Sequence, residues 1–270
     1  MASGTIESYV NTVLGLAKYY RCSPDRLNHQ QIQKYLLYLI RERKLAWSTV
    51  SQRVYGLKFF YHDLLNRPRE SFYIPSPKLP RRLPTIWSPK QIRAFLVAAG
   101  NLRLEMMIKL AYGSGLRAKE VVGLRVADID SGNTTIWVRQ GKGRKDRAAI
   151  LTPSLLTDLR NYWRTYRPVN WLFPSTLRKE GHIHPASFGK MFARLKSRTG
   201  VADRPGRIHT LRHSFATHLV AAGADVYTVQ RLMGHTKLST TMIYIHLAQS
   251  IVVSGASHLD LLSSDDFKTL

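Results

Sequence analysis

The chain has 270 residues, enough to bury a core in one large domain or two ordinary ones. It carries 41 lysines and arginines against 17 aspartates and glutamates, a formal net charge of +24. The basic residues run along nearly the whole chain, which favours nucleic acid as a partner over a merely solvated basic surface. The single cysteine, Cys22, excludes an intramolecular disulfide and a cysteine-rich zinc site.

The amino-terminal segment MASGTIESYVNTVL lacks the basic region and long apolar run of a secretory signal. No stretch of the sequence approaches the ~18 consecutive apolar residues of a membrane span. We therefore expect a soluble, cytoplasmic protein with no membrane partner.

The first part of the chain has the apolar periodicity of helices. Asn28 and Gln31 are spaced as a capping box before the second of these helices. In the third, Arg53 and Lys58 lie away from the apolar side, and both are candidate contacts to nucleic acid. We predict a helical module over residues 1–66 with basic outer faces. Its helices are expected at 5–20, 28–44 and 47–65.

Residues 67–86 hold closely spaced prolines, which prevent a helix and favour extended chain. We predict an interdomain linker here. Lys78, Arg81 and Arg82 are candidate contacts to a phosphate backbone, and a simply solvated linker is the alternative.

The second part of the chain, residues 87–250, is predicted to be mostly helical with one small sheet. Ser88 and Gln91 form a second capping-box pattern. Two β-rich runs within 134–151, joined by the turn GKGRKDR, predict a hairpin. The overall expectation is a mainly α fold with a small antiparallel β-sheet, in two domains, followed by a tail at 251–270. Further helix caps are expected at Thr152, His184, Asp225 and Ser239.

Two glycine-flanked segments carry candidate phosphate ligands. In GSGLRAKE, Arg117 is expected in the first turn of a helix, where free backbone N–H groups favour an anion. A local ion pair with Glu120 explains it equally well. In GKGRKDR, Lys142 stands between two glycines, and such a tight turn can direct its side chain toward a ligand. The alternative is an ordinary solvent-exposed basic turn, which is the more common case. Arg144 and Lys145 in the same turn are candidate contacts to nucleic acid.

The segment HTLRHSFATHL concentrates three histidines and an arginine. His209 and Arg212, three residues apart on a predicted helix, share a face. A zinc site would use His209 and His213, but Thr210 stands where the H-E-x-x-H pattern has glutamate, so we predict no metal. His218 is expected to be structural, and His213 has no assigned role.

The segment LMGHTKLSTTMIYIH contains His235 and Tyr244, each unremarkable alone; a tyrosine among apolar residues is by default a packing residue. Together with the basic candidates they form a meaningful set. Breaking and remaking a phosphodiester without a metal requires cationic donors, a nucleophile and an acid for the departing oxygen. The chain supplies two arginines, two histidines, a lysine and a tyrosine for these roles.

With these motifs the sequence resembles the tyrosine recombinases, the phage integrase family of site-specific DNA recombinases, and most closely their Xer-like branch. The resemblance rests on four segments, which occur in the same order as in the family: YGSGLRAKEVVGLRVADID, GKGRKDR, HTLRHSFATHLVAAGADVYTVQRLMGH and LSTTMIYIH.

The resemblance implies specific roles for these residues. Tyr244 is the nucleophile, Lys142 the general acid toward the 5′-hydroxyl, and Glu120 an acid that supports Arg117. The ending T-x-x-Y-x-H is present as Thr241, Tyr244 and His246. The six implied catalytic residues are Arg117, Lys142, His209, Arg212, His235 and Tyr244.

The resemblance also implies a fold, partners and chemistry. A helical SAM-like core-binding domain and a mixed α/β catalytic domain enclose double-stranded DNA carrying a specific recombination site. Four protomers form a homotetramer, pass through 3′-phosphotyrosyl links and a Holliday junction, and use no metal, ATP or other cofactor. The segment HLDLL in the acidic tail is either a helix that docks on a neighbouring protomer or a frayed end.

Three other functions remain in competition at this point: a type IB topoisomerase, a non-catalytic DNA-binding protein and a metal-dependent nuclease. The target DNA sequence is open, because base readout depends on few side chains and on DNA deformability. Also open are the choice among integration, excision and resolution of a mobile element or replicon, and the need for a partner recombinase or accessory protein.

Overall fold

The chain, seen in a computed structural model, divides into two units, Met1–Arg81 and Arg82–Leu270, each with its own hydrophobic core. The residues that the structure describes are 1, 3–67, 83–139, 146–176 and 181–255.

The first unit is helical over its described residues. The predicted capping box is present: Gln31 N donates to Asn28 Oδ1 and Asn28 N donates to Gln31 Oε1, both at 2.9 Å. A short 3₁₀ turn, Pro24–Arg26, precedes it. The longer helices are α1 (Ser3–Tyr20), α2 (His29–Arg41), α3 (Trp47–Lys58) and a π-helical segment, Phe59–Leu64.

The π-helical segment corrects the prediction of one α-helix over residues 47–65. Leu65 N donates to Phe60 O, five residues back, at 3.1 Å. Tyr61 is 2% exposed, and its hydroxyl donates to Pro24 O at 2.5 Å. Pro24 O thus satisfies this buried hydroxyl, a tertiary contact that helical periodicity does not express.

The side chain of Arg53 is partly buried within this unit. Its Nη1 donates to Oγ1 of Thr12 at 3.1 Å, and Thr12 is fully buried. The prediction that Arg53 lies on an outer face therefore needs correction, because part of its guanidinium links α3 to α1. Lys58 at the end of α3 is half-buried.

The second unit is mainly helical and contains one small sheet. Its α-helices among the described residues are α4 (Pro89–Ala98), α5 (Leu102–Gly113), α6 (Ala118–Val122), α7 (Pro153–Tyr166), α8 (Pro185–Lys196), α9 (Ile208–Ala221), α10 (Val226–Met233) and α11 (Leu238–Gly255). The predicted caps at Ser88, Thr152, His184 and Asp225 are confirmed. The prediction at Ser239 is wrong, because α11 begins one residue earlier, at Leu238.

The sheet confirms the predicted hairpin and adds a strand. β2 (Thr135–Val138) pairs antiparallel with β3 (Arg147–Ile150), with Trp137 opposite Ala148. β1 (Ile129–Asp130) pairs with the other edge of β2. A two-residue strand carries no alternation from which the sequence could have predicted it.

Two apolar clusters position the helices of the second unit. Trp87, Phe95 and Phe192 form mutual aromatic contacts in the larger cluster, with ring centroids 4.9–5.4 Å apart. The smaller cluster joins α9, α10 and α11 and includes Tyr244. Ile86, at the end of the predicted linker, packs against this smaller cluster.

No helix of the described residues is long and apolar enough to cross a membrane. The same residues contain no group of three or more His, Cys, Asp or Glu side chains placed to hold a metal ion.

Candidate active site

Arg117 lies at the amino-terminal cap of α6 and binds Glu120 one turn later. Its backbone N donates to Glu120 Oε2 at 2.8 Å, and its Nη1 donates to Glu120 Oε1 at 2.6 Å. The ion pair considered as an alternative from the sequence is therefore present. The Arg117 side chain is still 23% exposed, so part of its guanidinium remains available to a ligand.

Glu120 is the shared anion of a cluster of three arginines. Arg147 Nη2 lies 2.7 Å and Arg212 Nη1 3.8 Å from its Oε2, and its side chain is 7% exposed. Burial alone would raise the pKa of Glu120, but the Arg147 charge and the hydrogen bonds from Arg117 outweigh it and lower the pKa. Because one carboxylate faces three guanidinium groups, the cluster keeps a positive charge suited to an anion.

The carbonyl end of α10 holds the same three arginines. Met233 O accepts from Arg212 Nη2 and, at 3.5 Å, from Arg117 Nη2. Leu232 O accepts from Arg147 Nη1 at 2.8 Å. The last carbonyls of a helix lack partners within it and carry partial negative charge, which explains why cations gather there.

Arg147 is a residue of this site that sequence reasoning missed. It opens β3 directly after the glycine-rich turn, as the last residue of GKGRKDR. Its side chain is 11% exposed, and burial lowers its pKa despite the nearby Glu120 charge. An arginine at the start of a strand whose other residues are small or apolar was the available signal.

Arg212, on α9, is 5% exposed and donates to Gly115 O and Met233 O. Burial, with the Arg117 charge acting in the same direction, lowers its pKa to about 9. The guanidinium therefore stays charged at neutral pH. With five N–H groups on the side chain, these two carbonyls leave donors for a phosphate oxygen.

Gly234 lies against Arg147 of the arginine cluster and directly precedes His235 in the sequence. It ends α10 at φ +58°, and a Cβ placed on it would lie 2.6 Å from Cδ of Arg147. We expect Gly234→Ala to lose about 1–2 kcal/mol of unfolding free energy from backbone strain. Displacing Arg147 should cost about 1–3 kcal/mol more.

Gly223→Ala is the matched control for this prediction. Gly223 has φ +92°, but nothing lies within 4 Å of the position of its Cβ. Urea unfolding of both variants separates the two effects, since only the Gly234 variant disturbs Arg147. Equal losses in the two variants would contradict a close approach of Arg147.

His235 and Tyr244 face each other beyond Gly234. Their rings are stacked, with centroids 6.0 Å apart and planes at 16°, and His235 Nδ1 lies 3.0 Å from Oγ1 of the buried Thr241. Burial lowers the pKa of His235 to about 4, and the Arg212 and Arg117 charges act the same way. The imidazole is therefore neutral at neutral pH.

Tyr244 is 3% exposed, and its hydroxyl lies 2.9 Å from Nδ1 of His213. Burial raises its pKa, which the charges of Arg212 and Arg117 only partly oppose. His246, two residues later, is exposed. His218 forms a separate pair with Tyr112, Nδ1 to Oη at 2.9 Å, as expected for a structural residue.

His209 lies in the first turn of α9. It shares that helix with Arg212, three residues later, as the spacing predicts. The residue as a whole is exposed, while partial desolvation of the ring and the Arg212 and Arg117 charges lower its pKa. The structure thus brings Arg117, Arg212, His235 and Tyr244 around the end of α10, with His209 electrostatically coupled to the arginines.

Six of the predicted residues lie outside the described residues: Lys142, Arg144, Lys145, Lys78, Arg81 and Arg82. Their roles stay predictions.

Two family models account for most of the chain. Residues 87–250 match the phage integrase family, and residues 1–70 match the phage integrase N-terminal SAM-like domain. The chain belongs to the tyrosine recombinases of the phage integrase family. Members of this family are DNA strand transferases, and the two-part, mainly α fold with a small antiparallel sheet is confirmed for this tyrosine recombinase.

Individual relatives agree with this assignment. The putative integrase/recombinase y4qK of Sinorhizobium fredii (strain NBRC 101917 / NGR234) is 39% identical over 259 residues, which cover 94% of this chain and 82% of the relative. Tyrosine recombinase XerA of Pyrococcus horikoshii is 31% identical over 226 residues, covering 80% and 78%. These matches place the tyrosine recombinase in the Xer-like branch.

Solved structures give the same fold. A crystal structure of XerA recombinase matches with a TM-score of 0.57 and 26% identity, covering 94% of this chain and 91% of that one. XerH site-specific recombinase bound to palindromic difH substrate, in a post-cleavage complex, matches with a TM-score of 0.70 and 23% identity, covering 93% and 79%.

Proposed function

We propose that this protein is a site-specific DNA recombinase that cleaves and rejoins strands through a 3′-phosphotyrosyl intermediate at Tyr244. The observation that carries the proposal is the convergence of two arginines on the carbonyl of Met233, next to the His235–Tyr244 pair. The cations needed at a phosphate and a hydroxyl nucleophile therefore lie within one small region of the second unit.

The proposed chemistry assigns a role to each group. Arg117 and Arg212 donate to the non-bridging oxygens, where negative charge grows in the transition state. Tyr244 Oη attacks phosphorus, and the 5′ oxygen leaves with a proton that Lys142 would supply. His209 and the neutral His235 add hydrogen-bond donors beside the phosphate. The phosphotyrosyl link conserves the bond energy, so neither ATP nor a metal is needed in this scheme.

The proposed assembly has double-stranded DNA with a specific site as substrate and four protomers exchanging strands through a Holliday junction. Residues 1–66 would bind DNA, 67–86 would link the units, 87–250 would carry the catalysis, and 251–270 would dock on a neighbouring protomer. Support comes from the net charge of +24 and from the family membership.

Covalent capture from a DNA fragment library tests this function and identifies the target sequence in the same experiment. Fragments of the genetic element that encodes the protein are incubated with it, and complexes that survive detergent are isolated and sequenced. We expect one short sequence to be enriched, with capture undiminished by a chelator. No covalent complex would contradict the proposal. Uncut fragments would then support a non-catalytic DNA-binding protein, and cleavage without capture that a chelator abolishes would support a metal-dependent nuclease.

The captured sequence then separates recombination from topoisomerase activity. Two copies placed on one supercoiled plasmid should yield recombinant products. Relaxation of the plasmid without strand exchange would indicate a type IB topoisomerase.

A further inference from the structure

A hydrogen bond joins His213 to the proposed nucleophile, and none of the catalytic roles proposed for the other residues uses it. Nδ1 of His213 lies 2.9 Å from Oη of Tyr244. The two ring centroids are 5.8 Å apart with the planes tilted at 40°, so the polar atoms meet rather than the ring faces. His213 follows Arg212 on α9 and is rotated about 100° from it around the helix. This rotation directs the imidazole toward α11, where Tyr244 lies.

Tyr244 needs a proton acceptor in order to attack. Burial raises its pKa, so the hydroxyl is protonated at neutral pH. When a phenol oxygen forms a bond to phosphorus, its proton has to leave. The side chain is only 3% exposed and packs among Phe215, Val229 and Met233, so bulk water is poorly placed to receive it. A basic side chain in direct contact with Oη is the available alternative.

The neighbouring histidines are placed for other contacts. The His235 ring is stacked near-parallel to the Tyr244 ring, with centroids 6.0 Å apart, and its Nδ1 lies 3.0 Å from Oγ1 of Thr241. His209 is exposed at the start of α9. His213, by contrast, has a ring nitrogen at hydrogen-bond distance from the reacting oxygen itself, which is the geometric requirement for a general base.

We propose that His213 is the catalytic base that takes the Tyr244 proton during strand cleavage and returns it during resealing. The inference rests on the proposed role of Tyr244 as nucleophile. In cleavage the Oη–P bond forms, the P–O5′ bond breaks, the Oη proton moves to Nδ1, and O5′ receives a proton from the separate acid. In resealing the 5′-hydroxyl returns its proton to that acid as the P–O5′ bond forms, and the imidazolium protonates Oη as the Oη–P bond breaks, so protons and bonds balance over the cycle.

The charge state of His213 suits this role. Burial, aided by His209 and the Arg212 charge on its own helix, lowers its pKa, so the ring is neutral at neutral pH. Among the described residues, the titratable groups facing it from other elements are Tyr244 on α11 and His235 between α10 and α11. A neutral imidazole with its proton on Nε2 leaves the Nδ1 lone pair free to accept from Oη.

Single-turnover cleavage of a nicked duplex carrying the captured target, followed from pH 5 to 9, tests the proposal. The wild-type rate should rise through one ionisation on the acid side and then level off. His213→Asn places an amide oxygen near the position of Nδ1 and keeps a hydrogen-bond acceptor without a base. We expect it to cleave about 100-fold or more slowly at neutral pH, since general bases contribute about 10²–10⁴-fold. Its rate should keep rising into the alkaline range as the phenolate forms.

His218→Asn is the matched control, because His218 on the same helix binds Tyr112 Oη through Nδ1 at the same 2.9 Å distance. It should keep the wild-type rate and pH profile. A wild-type rate and profile in His213→Asn would overturn the proposal, because hydrogen bonding alone would then suffice.

A substrate with sulfur in place of the bridging 5′ oxygen separates attack from departure, since a thiolate leaves without protonation. His213→Asn should stay slow on this substrate; recovery to the wild-type rate would assign His213 to the leaving group and overturn the proposal.

If the variant does not fold, the wild-type protein alone gives the answer. The acid-side fall in its rate should persist with the sulfur substrate, and a flat profile would overturn the proposal. A wild-type protein that forms no covalent complex would instead refute the nucleophile, a failure distinct from that of His213.

Discussion

Tyr244→Phe is expected to abolish covalent DNA complex formation while leaving DNA binding intact. The change removes the oxygen that is proposed to attack phosphorus, and a phenylalanine ring still fills the apolar site formed by Phe215, Val229 and Met233. The unfolding free energy should fall by only about 1 kcal/mol, the value of the lost hydrogen bond to His213. Detergent-resistant complex measures the chemistry, and a filter-binding titration measures affinity.

Tyr112→Phe is the matched control for this variant. The Tyr112 hydroxyl binds Nδ1 of His218 at 2.9 Å, so its loss removes a similar tyrosine–histidine hydrogen bond away from the proposed nucleophile. This variant should show a similar small loss of stability and an unchanged cleavage rate. Covalent complex that persists in Tyr244→Phe would remove Tyr244 from the mechanism.

Glu120→Gln is expected to destabilise the protein by about 3–5 kcal/mol and to slow cleavage. The substitution keeps the shape but removes the negative charge shared by Arg117, Arg147 and Arg212. Breaking a buried ion pair from one side leaves uncompensated buried charge, which costs this much. Added sulfate should restore more stability to the variant than to the wild type, because an anion can occupy the overcharged cluster.

Asp158→Asn provides the control for Glu120→Gln. Asp158 pairs with Lys109 at 2.9 Å, but its side chain is 35% exposed, so the loss should be about 1 kcal/mol or less. Urea unfolding measures both variants. Equal losses would contradict the buried arginine cluster.

The pH dependence of stability supplies a further check on Glu120. Its pKa is lower in the folded protein than the ordinary glutamate value. The stability from its charge is therefore complete above the pKa of the unfolded chain, about 4.3. It disappears as the pH falls through the lower, folded pKa. The Gln variant lacks this contribution, so the stability difference between wild type and variant should narrow in that acid range.

Local signals in the sequence predicted much of the fold. The Asn28–Gln31 and Ser88–Gln91 capping boxes form as their spacing requires, because these contacts involve neighbours within one turn. The hairpin strands are likewise specified by β-rich runs around a glycine-containing turn. The π-helical turn around Tyr61 was not predicted, and the hydrogen bond that Tyr61 makes there reaches Pro24, 37 residues away, beyond what local periodicity expresses.

The candidate site shows the same division between local and distant causes. Arg117 and Glu120 are three residues apart, so their contact follows from the spacing. Arg147 binds Glu120 from 27 residues away in the sequence, and it also donates to Leu232 O at the end of α10. Both contacts depend on the tertiary fold. The contact between His213 and Tyr244 spans 31 residues, which explains why His213 had no role in the sequence alone.

The central claim is that DNA becomes attached to Tyr244, and mapping the attached residue tests it most directly. Captured complexes are digested with protease, the DNA is trimmed with nuclease, and the modified peptide is identified by mass spectrometry. We predict a single adduct on Tyr244, joined to the 3′ phosphate of the nicked strand, with a free 5′-hydroxyl on the other side of the break. An adduct on another residue, or on a 5′ phosphate, would contradict the account.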